Sequence, residues 1–217
     1  MFFSGMAVAL AATVFAGFSR TYYLRGAVGS PVLPTLLLVR GFVFTAWMIL
    51  LVVQTSLVAA NKTEVHRRLG VAGAALGVLM TVLAGYVAIT RAGADLLALA
   101  TVVVFPTLLG SALLLRKRID YHKRLVLIAT LELVNAAVAR VPGVVVPLGG
   151  FGPLGPVGLF GITDLFLIAL ALYDWRTLGR LHTATLWGGL FLIASQPLRL
   201  LINATPAWQS FANWLTN

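Results

Sequence analysis

Cysteine is absent from this chain, and acidic residues are scarce: six Asp and Glu stand against sixteen Lys and Arg. The first absence excludes disulfides and thiolate metal sites, and it leaves the redox compartment unreadable. Long polar stretches are missing too. Only 10% of residues are charged, where a soluble domain carries about 25%. No loop is long enough to hold a soluble domain. The chain also lacks a nucleophile elbow, a P-loop, a dinucleotide fingerprint and an HExxH element. No catalytic residue is assigned, and an enzyme is not the expected reading.

What is present is apolar. Of 217 residues, 60% are hydrophobic, and the mean hydropathy is +0.98. Such a chain takes the bilayer as its solvent. The net charge of +10 then belongs to basic loops that set topology and touch anionic lipid. Membrane lipid is the expected partner, and nucleic acid is not. The N-terminal stretch MFFSGMAVALAATVFAGFSR has no basic n-region and no small-x-small cleavage site, so it reads as a retained first span.

A span needs about 20 apolar residues. Seven windows qualify, at 2–19, 33–58, 69–89, 96–115, 123–141, 157–174 and 183–202. The expected fold is all-α: a bundle of seven transmembrane helices in one transmembrane domain, 1–217. The stretch VPGVVVPLGGFGPLGP at 141–156 holds four Pro and five Gly, and reads as an ordered or re-entrant loop. The tail TPAWQSFANWLTN has Trp208, Phe211, Trp214 and Leu215 at helical spacing. It reads as a short amphipathic helix at the outer interface. Gly73 and Gly77 form a small-xxx-small pair that allows close helix approach.

Lys62, Arg67, Arg68, Arg116, Lys117, Arg118, Lys123, Arg124, Arg176 and Arg180 fall on one side, and Arg20, Arg25 and Arg91 on the other. The positive-inside rule places the N-terminus in the cytoplasm and the C-terminus outside, in the inner membrane. The seventh span contains no Lys, which argues against a retinal Schiff base.

Five ionisable residues lie inside the spans: Arg40, Glu132, Arg140, Asp164 and Arg199. A charge at membrane depth costs roughly 3 kcal/mol on insertion scales. It survives by facing protein, a partner charge or a wet cavity. At 1.5 Å per residue Arg40 lies about 10 Å below the outer end of its span. The span directions put all five in the middle-to-outer half of the membrane. Helical phase adds Trp47 and Gln54 to the Arg40 stripe, Asn135 to the Glu132 face, and Gln196 and Asn203 to the Arg199 face. Two readings stay open. One is a satisfied network of Arg–carboxylate pairs. The other is a pocket open to the outside. Three Arg against two carboxylates leave one surplus cation, which suits a small anionic or lipid-like ligand, or a proton path through Glu132 and Asp164.

His66, His122 and His182 are the three histidines, each at the cytoplasmic start of an odd-numbered span. Three imidazoles suit a metal, and two suit haem b. Helix N-termini flanked by Arg and Lys suit lipid phosphate. Glu64, Asp120 and Asp174 are candidate carboxylate partners of the imidazoles.

The stretches RGFVFTAWMILLVVQTSLVAANKTEVHRRLG, DYHKRLVLIATLELVNAAVARVP and LHTATLWGGLFLIASQPLRLLINATPAW resemble an uncharacterised family of bacterial multi-span membrane proteins. The HRRLG element is similar to short motifs of cytochrome b561-type and oxidase-maturation membrane proteins. That resemblance implies a helical inner-membrane protein, with a haem-b redox or oxidase-assembly role, or an accessory subunit of a larger membrane complex, as alternatives. Relatives in this resemblance carry His-Gly where this chain has Arg40-Gly41, which removes a haem ligand from the second span.

Overall fold

The computed structural model describes residues 1–29, 32–90, 93, 96–141 and 155–216. Among them every regular element is helical: α1 (Phe2–Phe18), a π-helical turn (Ser19–Tyr23), α2 (Thr35–Ala59), α3 (Thr63–Thr90), α4 (Leu96–Leu114), α5 (Ile119–Val138), α6 (Gly155–Leu178), α7 (Thr183–Asn203) and α8 (Pro206–Thr216). Six of these segments are long and apolar enough to cross a membrane; α1 qualifies together with its π turn, and α5 is not among the six. Most of the 141–156 loop lies outside the described residues.

Composition explains why α5 stands apart. It carries Asp120, Lys123, Arg124 and Glu132 within 20 residues. Yet from Leu127 through Asn135 every side chain is buried. A helix buried on all its faces is an interior helix, shielded by its neighbours rather than by its own apolarity.

The chain divides into two compact units, Met1–Leu76 with Leu133–Tyr173, and Gly77–Glu132 with Asp174–Asn217. In the first, α1 and α2 run antiparallel. Ser4 donates to the Thr55 carbonyl near one end, and Phe18 packs on Phe44 near the other, with ring centroids 5.4 Å apart. The π turn continues α1 and latches onto the start of α2. Tyr22 donates its hydroxyl to the Leu38 carbonyl at 3.1 Å. Thr45 donates its own hydroxyl to the Gly41 carbonyl, so Tyr23 is the donor in the 2.8 Å contact with Thr45. Gly41 makes room for this latch, since a Cβ there would lie 2.2 Å from the Tyr22 ring. Phe2 stacks on Tyr173 of α6 at 4.1 Å. The small residue Gly73 approaches α2 closely, where an added Cβ would meet Leu50 at 3.1 Å.

Gly17 is where α1 touches the last turns of α5. A Cβ built there would lie 2.3 Å from the Ala137 backbone oxygen, and backbone cannot swing aside as a side chain can. Gly17→Ala is therefore expected to destabilise the protein by about 1–3 kcal/mol, the usual cost of overpacking. Gly5→Ala in the same helix meets nothing within 4 Å and serves as the neutral control. Thermal unfolding of the two variants in detergent checks this.

In the second unit α4 and α7 run antiparallel. The start of α4 meets the end of α7 where the Leu96 amide donates to Asn203 Oδ1 at 3.0 Å. Further along, Gly188 of α7 lets Leu108 of α4 and Leu125 and Ile128 of α5 close in. A short connection joins α6 to α7, with Gly179 in the left-handed region (φ +67°) and His182 as the N-cap of α7.

Candidate functional site

Glu132 and Arg199 meet. Arg199 donates Nη1 to Glu132 Oε1 at 2.9 Å and Nη2 to Oε2 at 3.0 Å. This is the two-pronged geometry that a planar guanidinium favours. Thr101 of α4 adds a hydroxyl to Oε1 at 2.9 Å. Arg199 also donates Nε to the Ser195 carbonyl and Nη2 to the Ser195 hydroxyl. Both charged residues are buried, with Glu132 1% exposed and Arg199 3%. Gln196, one turn earlier on α7, is buried as well. Every oxygen of the carboxylate is taken, so this pair ties α5, α4 and α7 together.

A second buried pair joins α5 to the end of α6, and the charge pattern of the sequence does not single it out. Arg124, 2% exposed, donates Nε and Nη2 to Oδ1 of Asp174, which is wholly buried. Its remaining nitrogen reaches the Asp120 carbonyl at 3.0 Å. Asp174 Oδ2 accepts the Thr185 hydroxyl at 2.5 Å and the His182 amide at 3.2 Å. In the sequence Arg124 counts among the basic residues of the positive-inside pattern, and Asp174 reads as a candidate partner of the histidines. The usable signals were short-range. Arg124, Ile128 and Leu131 share one helix face by their spacing. A tight α6–α7 connection also brings the end of one helix against the start of the next.

The other intramembrane residues belong to the first unit. Arg140 turns back along α5, donating to the Ala136 carbonyl, and its guanidinium sits 4.4 Å over the Phe18 ring. Phe18 packs on Phe44, one turn after Arg40 on α2. Among the described residues neither arginine has an ion-pair partner. Trp47 is buried on the Arg40 stripe. Gln54, further down it, donates Nε2 to the His66 carbonyl at 3.2 Å, while among the described residues its buried Oε1 meets no donor. Asn135 Oδ1 accepts the Thr163 hydroxyl at 3.0 Å, and among the described residues its buried Nδ2 meets no acceptor. Asp164 follows Thr163 on α6 and is half-buried.

Among the described residues no three His, Cys, Asp or Glu groups come together to hold a metal ion. His122 Nδ1 lies 2.9 Å from the Ala112 carbonyl and donates to it. His182 Nδ1 accepts the Ala184 amide at 3.1 Å as the cap of α7, which leaves the proton on Nε2. The edge of its ring rests on Tyr121, 4.7 Å between centroids.

The cap makes α7 sensitive to pH. Burial, and then the positive charge of Arg124, hold the His182 imidazole below its ordinary range. A depressed histidine stabilises the fold above its unfolded value, about 6.5. That contribution is lost as pH falls through the lower folded value. A lower thermal midpoint is expected at about pH 5 than at about pH 8, and His182→Asn should flatten this component because asparagine caps without titrating. Thermal unfolding at both pH values checks it.

Comparison with protein-family models, with curated proteins and with solved structures finds no match for this chain.

Proposed function

We propose that this chain is a seven-span inner-membrane protein, N-terminus in the cytoplasm and C-terminus outside, that holds a small anionic or lipid-like ligand in the outer half of the membrane at Arg40 and Arg140. It would act as a transporter-like unit or as an accessory subunit of a membrane complex. The observation that carries this reading is the unequal treatment of the arginines. Arg199 is fully matched by Glu132. Arg140 lies over Phe18, and Phe18 packs on Phe44, one turn from Arg40 on α2, with no ion-pair partner for either arginine among the described residues. Arginines at membrane depth without a carboxylate are costly, and an anion beside them offsets that cost with charge-assisted hydrogen bonds. Phe18 supplies one aromatic wall, already engaged in a cation–π contact with Arg140.

The purified protein is placed in phosphatidylcholine nanodiscs, and its thermal midpoint is followed as phosphatidylglycerol, inorganic phosphate or a small carboxylate is added. A ligand that binds the folded state alone at 100 times its Kd stabilises it by about 2.7 kcal/mol. One of these anions should raise the midpoint of the wild type. Arg40→Gln and Arg140→Gln should each reduce that rise. If none of the anions shifts the wild type, or if both variants keep the full shift, the arginine pair is not a ligand site.

A further inference from the structure

We infer that α8 is an interfacial lipid-binding helix that attaches to bilayers whatever their headgroup charge. The helix has no charged residue along Pro206–Thr216, so it has nothing with which to select anionic lipid. Its aromatic side chains form a ladder. Trp208 and Phe211 are 5.4 Å apart by ring centroid, and Phe211 and Trp214 are 5.8 Å apart. Phe211 is 45% exposed and Trp214 73%. Ala212 is the residue buried against the protein. Gln209, Ser210, Asn213 and Thr216 supply the polar side.

The occupant follows from continuity with α7. Exposed apolar residues run from Leu198, Leu201 and Ile202 at the end of α7 on to Phe211 and Trp214. α7 is itself long and apolar enough to cross a membrane, so α8 begins where that crossing ends. The junction is fixed rather than loose. Thr205 accepts the Trp208 and Gln209 amides through its hydroxyl and its carbonyl, and Pro206 suits the first helical position. Gln209 Nε2 donates to the Asn203 carbonyl at 2.7 Å, while Asn203 Oδ1 accepts the Leu96 amide of α4. One asparagine thus ties α8 to the ends of two membrane helices. A rigid corner that ends in aromatic rings of moderate polarity suits the headgroup–acyl boundary, where Trp is enriched.

The chain contains no cysteine, so single cysteines report cleanly. Phe211→Cys and Trp214→Cys test the ladder, and Ser210→Cys and Asn213→Cys test the polar side. Each full-length variant carries a nitroxide in phosphatidylcholine vesicles and in vesicles enriched in phosphatidylglycerol. Labels at 211 and 214 should be severalfold more accessible to oxygen than to a water-soluble nickel chelate, and labels at 210 and 213 should show the reverse, equally in both lipids. Nickel access at all four sites would show a helix free in water and would overturn the inference. Shielding of 211 and 214 from both reagents, with spin–spin broadening, would mean that a second copy covers the face and would overturn it too. A pattern that appears only with phosphatidylglycerol would refute the independence from headgroup charge. None of these readouts depends on Arg40 or Arg140.

Discussion

Arg199→Met is expected to cost about 3–5 kcal/mol of stability, because it leaves the Glu132 carboxylate buried without its cation. The reason is geometric. Both oxygens of Glu132 are committed to one guanidinium, and Thr101 adds a neutral donor that cannot replace it. Removing both charges should be far milder. A buried pair repays its desolvation only with good geometry, so replacing it with apolar side chains of similar volume is often close to neutral. Glu132→Met combined with Arg199→Met should therefore recover most of the loss. Equilibrium unfolding of the two single variants and the double variant in mixed micelles gives the coupling energy directly. A double variant as damaged as the sum of the singles would mean that the pair is not coupled.

Asp174→Leu is the second large expected effect, again about 3–5 kcal/mol. Asp174 accepts from Arg124 twice, from Thr185 and from His182. Its loss would leave Arg124 buried without the carboxylate that takes two of its nitrogens, and would free the start of α7. Arg124→Met in the same chain should relieve the part due to the charge and not the part due to the α7 cap. The exposed cluster at the start of α3 provides the contrast. Glu64 pairs with Arg67 at 2.7 Å and with Arg68 at 3.0 Å, yet all three side chains are well solvated, and pairs of this kind contribute about 0–1 kcal/mol. Glu64→Gln should leave the unfolding midpoint nearly unchanged. The same measurement ranks all three sites.

The helices were legible where the physics is local or one-dimensional. Long apolar runs marked α2, α3, α4, α6 and α7, and the aromatic spacing of the tail marked α8. The value of Glu132 and Arg199 was legible as well, because a charge in an apolar run needs a partner. Which partner each would find was not, since pairing depends on how helices far apart in sequence lie side by side. Arg124 shows the limit most clearly. It follows Lys123 in a run that looks like a positive-inside signal, and only packing distinguishes the two. Lys123 takes the exposed Asp120 at 2.5 Å, while Arg124 turns inward to Asp174. The π turn at Ser19–Tyr23 had no sequence signature either. Its latch is made by its own Tyr22 and Tyr23 hydroxyls, which reach Leu38 and Thr45 of α2.

Composition and structure differ most over α5. Judged by apolarity alone it is not a membrane span. Its buried charges are nonetheless met from neighbouring helices, Glu132 by Arg199 and Arg124 by Asp174, and its side chains from Leu127 through Asn135 are buried. The proposed seven-span topology rests on this: a polar helix crosses because the helices that follow it bring the opposite charges. Sidedness of two engineered cysteines tests that most directly. In the cysteine-free chain, Lys117→Cys lies before α5 and Asn213→Cys lies after α7. With α5, α6 and α7 all crossing, a membrane-impermeant maleimide applied to sealed cells should label 213 and leave 117 protected. Labelling of both, or protection of both, would place the two sites on one side and contradict the crossing of α5.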